Sequence, residues 1–114
     1  MISKFLTYFL ILFSQTASAE ENHYYSGEEV EICEQPSQIT HRSDLRGEPY
    51  FITFGESYPN SYMTIVIWSN DLKNLEINPI SYFVSNNVCV VGEVTIFRSM
   101  PQITLSQPSQ IREQ

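Results

Sequence analysis

The chain has 114 residues, with 13 acidic side chains against 6 basic ones and a net charge of −7 when histidine is neutral. A chain of that length makes one domain with a modest core. Its acidity argues against bulk-charge binding of polyanions, because non-specific affinity for nucleic acid comes mostly from neutralising phosphates.

The first residues, MISKFLTYFLILFSQTASAEEN, have one early Lys, an apolar run from Phe5 to Phe13, and the small-x-small string Ala17-Ser18-Ala19. This is the pattern of a secretory signal peptide over residues 1–19, cleaved after Ala19. The apolar run is about half of the roughly 20 residues that span a bilayer, so no stable membrane insertion is expected after cleavage. No Cys follows the small residues, which argues against lipid anchoring there. Removing 19 of 114 residues leaves 95, and with Lys4 gone the charge becomes −8. The expected location is periplasmic or secreted.

Cys33 and Cys89 are the two cysteines. In an oxidising compartment they are expected to form a disulfide. Closing a loop of that size stabilises by roughly 4 kcal/mol at most on the chain-entropy argument. Two isolated cysteines lack the paired spacing of zinc ligands, so no metal site is expected.

Residues 20–29 read as a flexible acidic lead-in, residues 30–111 as the domain and residues 112–114 as a tail. Val30 to Gln35 alternates as a half-buried strand. Gln35 to Arg46, rich in Pro, Ser, His, Asp and Arg, reads as a loop. Tyr50 to Phe54 is a strand of aromatic and β-branched residues. Tyr62 to Trp68 is a third strand, apolar on both faces and so central. Between Asn70 and Asn87 the spacing predicts one or two short helical turns, interrupted at Pro79, with Asn70 or Asp71 as the first cap. Val88 to Phe97 reads as one long strand, bulged or bent at Gly92. A short hairpin loop, Arg98 to Pro101, leads to a last strand, Gln102 to Leu105, and a tail from Pro108. Gln-Pro-Ser-Gln-Ile occurs at 35–39 and again at 107–111. Without surrounding similarity it reads as chance, not as a repeat.

Three strands, a short helical link and two strands is the order of an OB-fold, a five-stranded Greek-key barrel. The all-β class is expected, and the strand count is too low for an immunoglobulin-like sandwich.

Two runs, GEPYFITFGESYPNSYMTIVIW from Gly47 and VCVVGEVTIFRSMPQITLSQPSQI from Val88, resemble a family of small bacterial OB-fold domains known as nucleic-acid-binding. The shared pattern includes Gly47, Pro49, Phe51, Phe54, the Tyr58-Pro59-Asn60 string, Thr64, Val66, Ile67 and Trp68. It continues with Val88-Cys89-Val90, Gly92, Arg98, Pro101-Gln102-Ile103 and Pro108 to Ile111. The likeness spans about Val30 to Ile111. This chain departs from it at Glu48, where the family has a basic residue, and at Ser99-Met100-Pro101, where the family has Gly-Lys-Pro. Basic positions near the binding loops are therefore partly lost.

Nothing in the chain assembles a catalytic site. There is no zinc helix motif, no phosphate-cradling glycine loop and no nucleophile elbow. The acidic cluster Glu28, Glu29, Glu31 and Glu34 reads as a solvated face. No enzyme activity, cofactor or catalytic residue is expected. In an OB-fold the ligand crosses strands two and three, framed by the loops joining strands one–two and four–five. On that basis the candidate ligand-binding residues are Arg42, Arg46, Tyr50, Tyr62 and Arg98. Trp68 and Phe54 are expected in the core, whereas Tyr50 and Tyr62 are open to either a core or a stacking role. The expected ligand is single-stranded nucleic acid. The alternative is a protein or oligosaccharide partner in the cell envelope, without nucleic-acid affinity.

Overall fold

The computed structural model describes residues 23–58 and 60–114. The leader and its cleavage site lie outside the described residues. Eight strands and two short helices follow in order: β1 (Glu29–Ile32), β2 (Gln38–His41), β3 (Tyr50–Gly55), β4 (Ser61–Ile67), α1 (Leu72–Leu75), α2 (Pro79–Ser85), β5 (Val88–Glu93), β6 (Thr95–Phe97), β7 (Met100–Thr104) and β8 (Ile111–Glu113).

The strands form two sheets, one ordered β1-β5-β8 and the other β2-β3-β4-β7-β6. The β4–β7 pair is parallel and the other pairs are antiparallel. The single five-stranded barrel expected from the sequence is not formed, because the strands divide between two sheets and neither sheet closes.

Three local differences produce this outcome. The segment read as a loop contains β2, an edge strand bonded only to β3. An edge strand needs few apolar residues, and β2 turns Ile39 against the core while Gln38 and His41 stay exposed. The stretch Val88 to Phe97 is two strands, β5 in the smaller sheet and β6 in the larger. At the crossing Val94 is fully buried, its N–H donates to the Glu28 carbonyl at 2.8 Å, and its carbonyl accepts from Gly27 at 2.8 Å. The acidic lead-in is thus engaged from Gly27 onward. The stretch from Pro108, read as a tail, forms a 3₁₀ turn over Pro108–Gln110 and then β8, which pairs with β5.

Pro79 begins α2 instead of interrupting a helix. It occupies the first turn, where a missing N–H costs nothing, and Asn78 Oδ1 accepts from Ser81 N at 3.2 Å. Neither Asn70 nor Asp71 caps α1 with its side chain.

Strand alternation builds the core. Ile52 and Phe54 of β3 face Ile65 and Met63 of β4 in register, and all four are fully buried. The same cluster takes Ile32, Val88 and Val90 from the smaller sheet, Ile103 from β7, and Leu75 and Phe83 from the helices. Each such side chain stabilises by about 1.5–3 kcal/mol when fully buried. Phe54 is in the core, 1% exposed, but Trp68 is not: it is 41% exposed. Trp68 lies just past the end of β4 and covers Gly47, where an added Cβ would fall 2.8 Å from the indole ring.

Cys33 and Cys89 are joined in a disulfide across 56 residues. Ile32 pairs with Val90 in the β1–β5 ladder, so the bridge extends that register by one step. A disulfide fits an oxidising compartment. Among the described residues no helix is long and apolar enough to cross a membrane.

Gln110 ties the two sheets together. Its Nε2 donates to the carbonyls of Val91 in β5 (3.1 Å) and Thr104 in β7 (3.0 Å). Its Oε1 accepts from the backbone N–H groups of Ser106 and Gln107. Every donor and acceptor position of that amide is used. In the earlier copy of the string the first glutamine, Gln35, donates from Nε2 to the Asn86 carbonyl and to Asn87 Oδ1, just before β5.

Candidate ligand-binding groove

The face of the five-stranded sheet turned away from the core carries a groove of about 360 Å³. Its position follows from strand parity. Where Ile52 and Phe54 point inward, Phe51 and Thr53 point outward. Thr53 lies opposite Thr64 of β4, and Thr64 lies beside Gln102 of β7. Gln38 and Thr40 extend the floor onto β2. The floor is therefore neutral and rich in hydroxyl and amide groups.

The β2–β3 loop supplies Arg42 and Leu45 at one rim, and the β6–β7 hairpin supplies Phe97, Arg98 and Met100 at the other. Tyr58, 66% exposed, adds a third aromatic wall beside Phe51 and Phe97. The lining contains two arginines and no carboxylate.

The arginines differ in state. Arg42 makes a two-point pair with Asp44, Nε to Oδ1 at 2.9 Å and Nη2 to Oδ2 at 2.7 Å. That hydrogen bond lowers the Asp44 pKa to about 2 and raises that of Arg42. Both partners are exposed, and exposed pairs contribute little, so a phosphate can replace the carboxylate at small cost. Arg98 lies over the ring of Phe97, 5.2 Å from its centroid. It occupies a two-residue hairpin turn in which both central residues have positive φ, 52° at Arg98 and 68° at Ser99. That is the type I′ requirement, which Asn-Gly satisfies with least strain. The turn aims the Arg98 guanidinium at the groove.

Of the five residues singled out from the sequence, the groove brings together Arg42 and Arg98. Arg46 is exposed in the same loop as Arg42 but does not line the groove. Tyr50 stacks flat on His41, its neighbour on β2, with centroids 4.0 Å apart, and packs against the core. Tyr62 donates from its hydroxyl to Glu34 Oε1 at 2.5 Å and lies beside Tyr24. Burial, and then the Glu34 hydrogen bond, raise the Tyr62 pKa. Phe51, Tyr58 and Phe97 are the aromatic side chains the sequence reading missed. Parity held the signal for Phe51, which is out of phase with Ile52 and Phe54.

Three of the four acidic residues in the cluster make local contacts. Glu31 pairs with Arg112 at 3.1 Å, Glu34 binds Tyr62, and Glu28 accepts from the Tyr25 N–H. Glu31 also lies near both cysteine sulfurs, but those sulfurs are in the disulfide and offer no thiolate.

Comparison with family models, with curated proteins and with solved structures gives no match.

Proposed function

We propose that this is a non-enzymatic binding protein of the periplasm or cell exterior, exported by cleavage after Ala19, whose groove takes a single strand of nucleic acid. The observation that carries the reading is the groove lining: two arginines and no carboxylate, on a chain of net charge −7. Phosphates would meet Arg42 and Arg98, and bases would stack on Phe97, Tyr58 and Phe51. A base stacked on an aromatic ring contributes about 1–3 kcal/mol and tolerates any sequence. The likeness of Gly47–Trp68 and Val88–Ile111 to small nucleic-acid-binding domains is a second support.

The test is fluorescence anisotropy of a labelled single-stranded oligonucleotide at low and moderate salt. The expected result is saturable binding that weakens with salt and is lost in an Arg42→Ala, Arg98→Ala double variant. A flat titration at low salt, where screening is least, rejects the reading.

The neutral floor of Gln38, Thr40, Thr53, Thr64 and Gln102 favours a second reading, an oligosaccharide of the cell envelope. Hydroxyl and amide groups hydrogen-bond sugars without needing phosphate charge. A glycan array that returns binders resistant to salt, together with a flat oligonucleotide titration, would select this alternative.

A further inference from the structure

Arg42 and Arg98 stand at opposite corners of the five-stranded sheet. β2–β3 and β3–β4 are antiparallel and β4–β7 is parallel, so β2, β4 and β7 run in one direction. Arg42 follows the C-terminal end of β2, at one edge of the sheet. Arg98 precedes the N-terminal end of β7, beside the other edge. A strand that touches both arginines therefore crosses the groove diagonally, over the middle of β3 and β4.

Thr53 and Thr64 lie at that crossing. They face one another in register, and Gln38 on β2 and Gln102 on β7 flank them in the same row. Both threonines line the groove, yet they are only 5% and 7% exposed. The bonds at Thr53 are made by its backbone, whose carbonyl accepts from Ser37 N–H at 2.7 Å and from Ser37 Oγ at 3.0 Å. Among the described residues no partner reaches the Oγ1 of Thr53 or Thr64.

Two unpaired hydroxyls at that depth call for a physical reason. Buried side-chain polar atoms are paired in the large majority of cases, and leaving one unpaired costs stability. Packing does not require them. Valine matches threonine closely in shape and in strand propensity, and Val66 fills the next position of β4 on that face. What threonine adds is a group that both donates and accepts hydrogen bonds. Here that group is turned into a groove whose rims carry arginines and aromatic rings.

We propose that Thr53 and Thr64 hydrogen-bond the base edges of a strand running between Arg98 and Arg42, with its phosphates at the rims and its bases turned down. The inference rests on the nucleic-acid reading of the groove and adds to it the pair of side chains that takes the bases. Stacking on Phe97, Tyr58 and Phe51 holds the face of a base, and the hydroxyls hold its edge. Because each hydroxyl can donate or accept, the pair meets any base.

The test is fluorescence anisotropy at low salt with two labelled strands of equal length. One is an oligothymidylate, and the other is an abasic strand that keeps the phosphates and lacks the bases. The Thr53→Val, Thr64→Val double variant should bind the oligothymidylate about tenfold more weakly than wild type, the loss expected for a pair of hydrogen bonds. Its affinity for the abasic strand should match wild type. Its melting temperature should stay the same or rise, because valine removes hydroxyls that the fold leaves unpaired. Unchanged affinity for the oligothymidylate, an equal loss on both strands, or a lower melting temperature overturns the inference and leaves the nucleic-acid reading standing. A wild type that binds neither strand rejects that reading, and the inference falls with it.

Discussion

Gly92 and Ile103 hold the two sheets at contact distance: a Cβ on Gly92 would overlap Ile103 Cγ2. The β1–β5 ladder has no register shift at the glycine. Gly92 sits in regular register opposite Val30, and what it supplies is the absence of a side chain where β5 passes over β7. The Gln110 amide is 3.1 Å from the same point, so Gln110 and Ile103 both need the space.

Replacing Gly92 with Ala should therefore destabilise the fold. Overpacking of this kind costs about 1–3 kcal/mol. Urea denaturation is the check, and a midpoint equal to wild type would mean that the sheets have slack.

The β6–β7 turn sets stability against binding. Non-glycine residues at positive φ cost roughly 1–2 kcal/mol each, and Arg98 and Ser99 both sit there. An Arg98→Asn, Ser99→Gly double variant should gain about 1 kcal/mol or more from the preferred turn sequence. It should also bind oligonucleotide more weakly, because the guanidinium is gone. A variant gaining stability with full affinity would remove Arg98 from the site.

Asp44 should act as a brake on the groove. Its carboxylate occupies the Arg42 guanidinium that a phosphate needs. Asp44→Asn should tighten oligonucleotide binding by a few-fold at most, because the pair is exposed and contributes little. The pH dependence has a definite sign. A depressed carboxylate pKa means that the pair is intact above the ordinary value near 4 and is lost as pH falls toward about 2. Between pH 5 and 8 binding should thus be insensitive to Asp44 titration, and substitution is the way to release the brake. Equal affinities of wild type and Asp44→Asn at low salt would show that the Asp44 pair does not compete with the ligand.

Tyr62 should mark alkaline unfolding. Its phenol pKa is raised by burial and by Glu34. A raised pKa favours the protonated folded form, so the contribution is complete below about pH 10 and is lost as pH rises beyond it. In a spectrophotometric titration the late-ionising part of the phenolate absorbance should be reduced in Tyr62→Phe. Stability of Tyr62→Phe should fall less steeply above pH 10. Parallel curves for the two proteins would show that the hydroxyl is not coupled to folding.

The disulfide should be worth up to about 4 kcal/mol by the chain-entropy argument. A Cys33→Ser, Cys89→Ser variant should unfold at a lower urea concentration. Intact mass after alkylation without reductant should show both thiols blocked by the bridge.

The legible parts of the fold were those set by local alternation. β3 and β4 are clear in Tyr50–Phe54 and Tyr62–Trp68 because Ile52, Phe54, Met63, Ile65 and Ile67 all turn to one core. β2 was not legible, since an edge strand with one buried face offers only Ile39 as a signal. The break at Val94 was hidden for the opposite reason: Val94 continues the apolar pattern, and only its bonds to Gly27 and Glu28 show that the chain changes sheets. At the groove, loop position brings Arg42 and Arg98 onto the lining. Tyr50 and Tyr62 lie elsewhere, one stacked on His41 and the other hydrogen-bonded to Glu34. Strand parity, applied to β3, puts Phe51 on the groove side.

The Cys33–Cys89 bridge makes a covalent ring of the chain from β2 to α2, and Arg42 lies inside that ring. The β6–β7 hairpin with Arg98 lies outside it, held to the ring by the three parallel steps of β4 against β7. The groove is therefore a seam between a closed loop and a flap held by backbone hydrogen bonds and by the packing of Ile103, with no covalent link of its own across the seam. A ligand that touches both arginines adds a clasp across that seam, so occupancy should register as slower proteolysis of the hairpin before it registers anywhere else in the molecule.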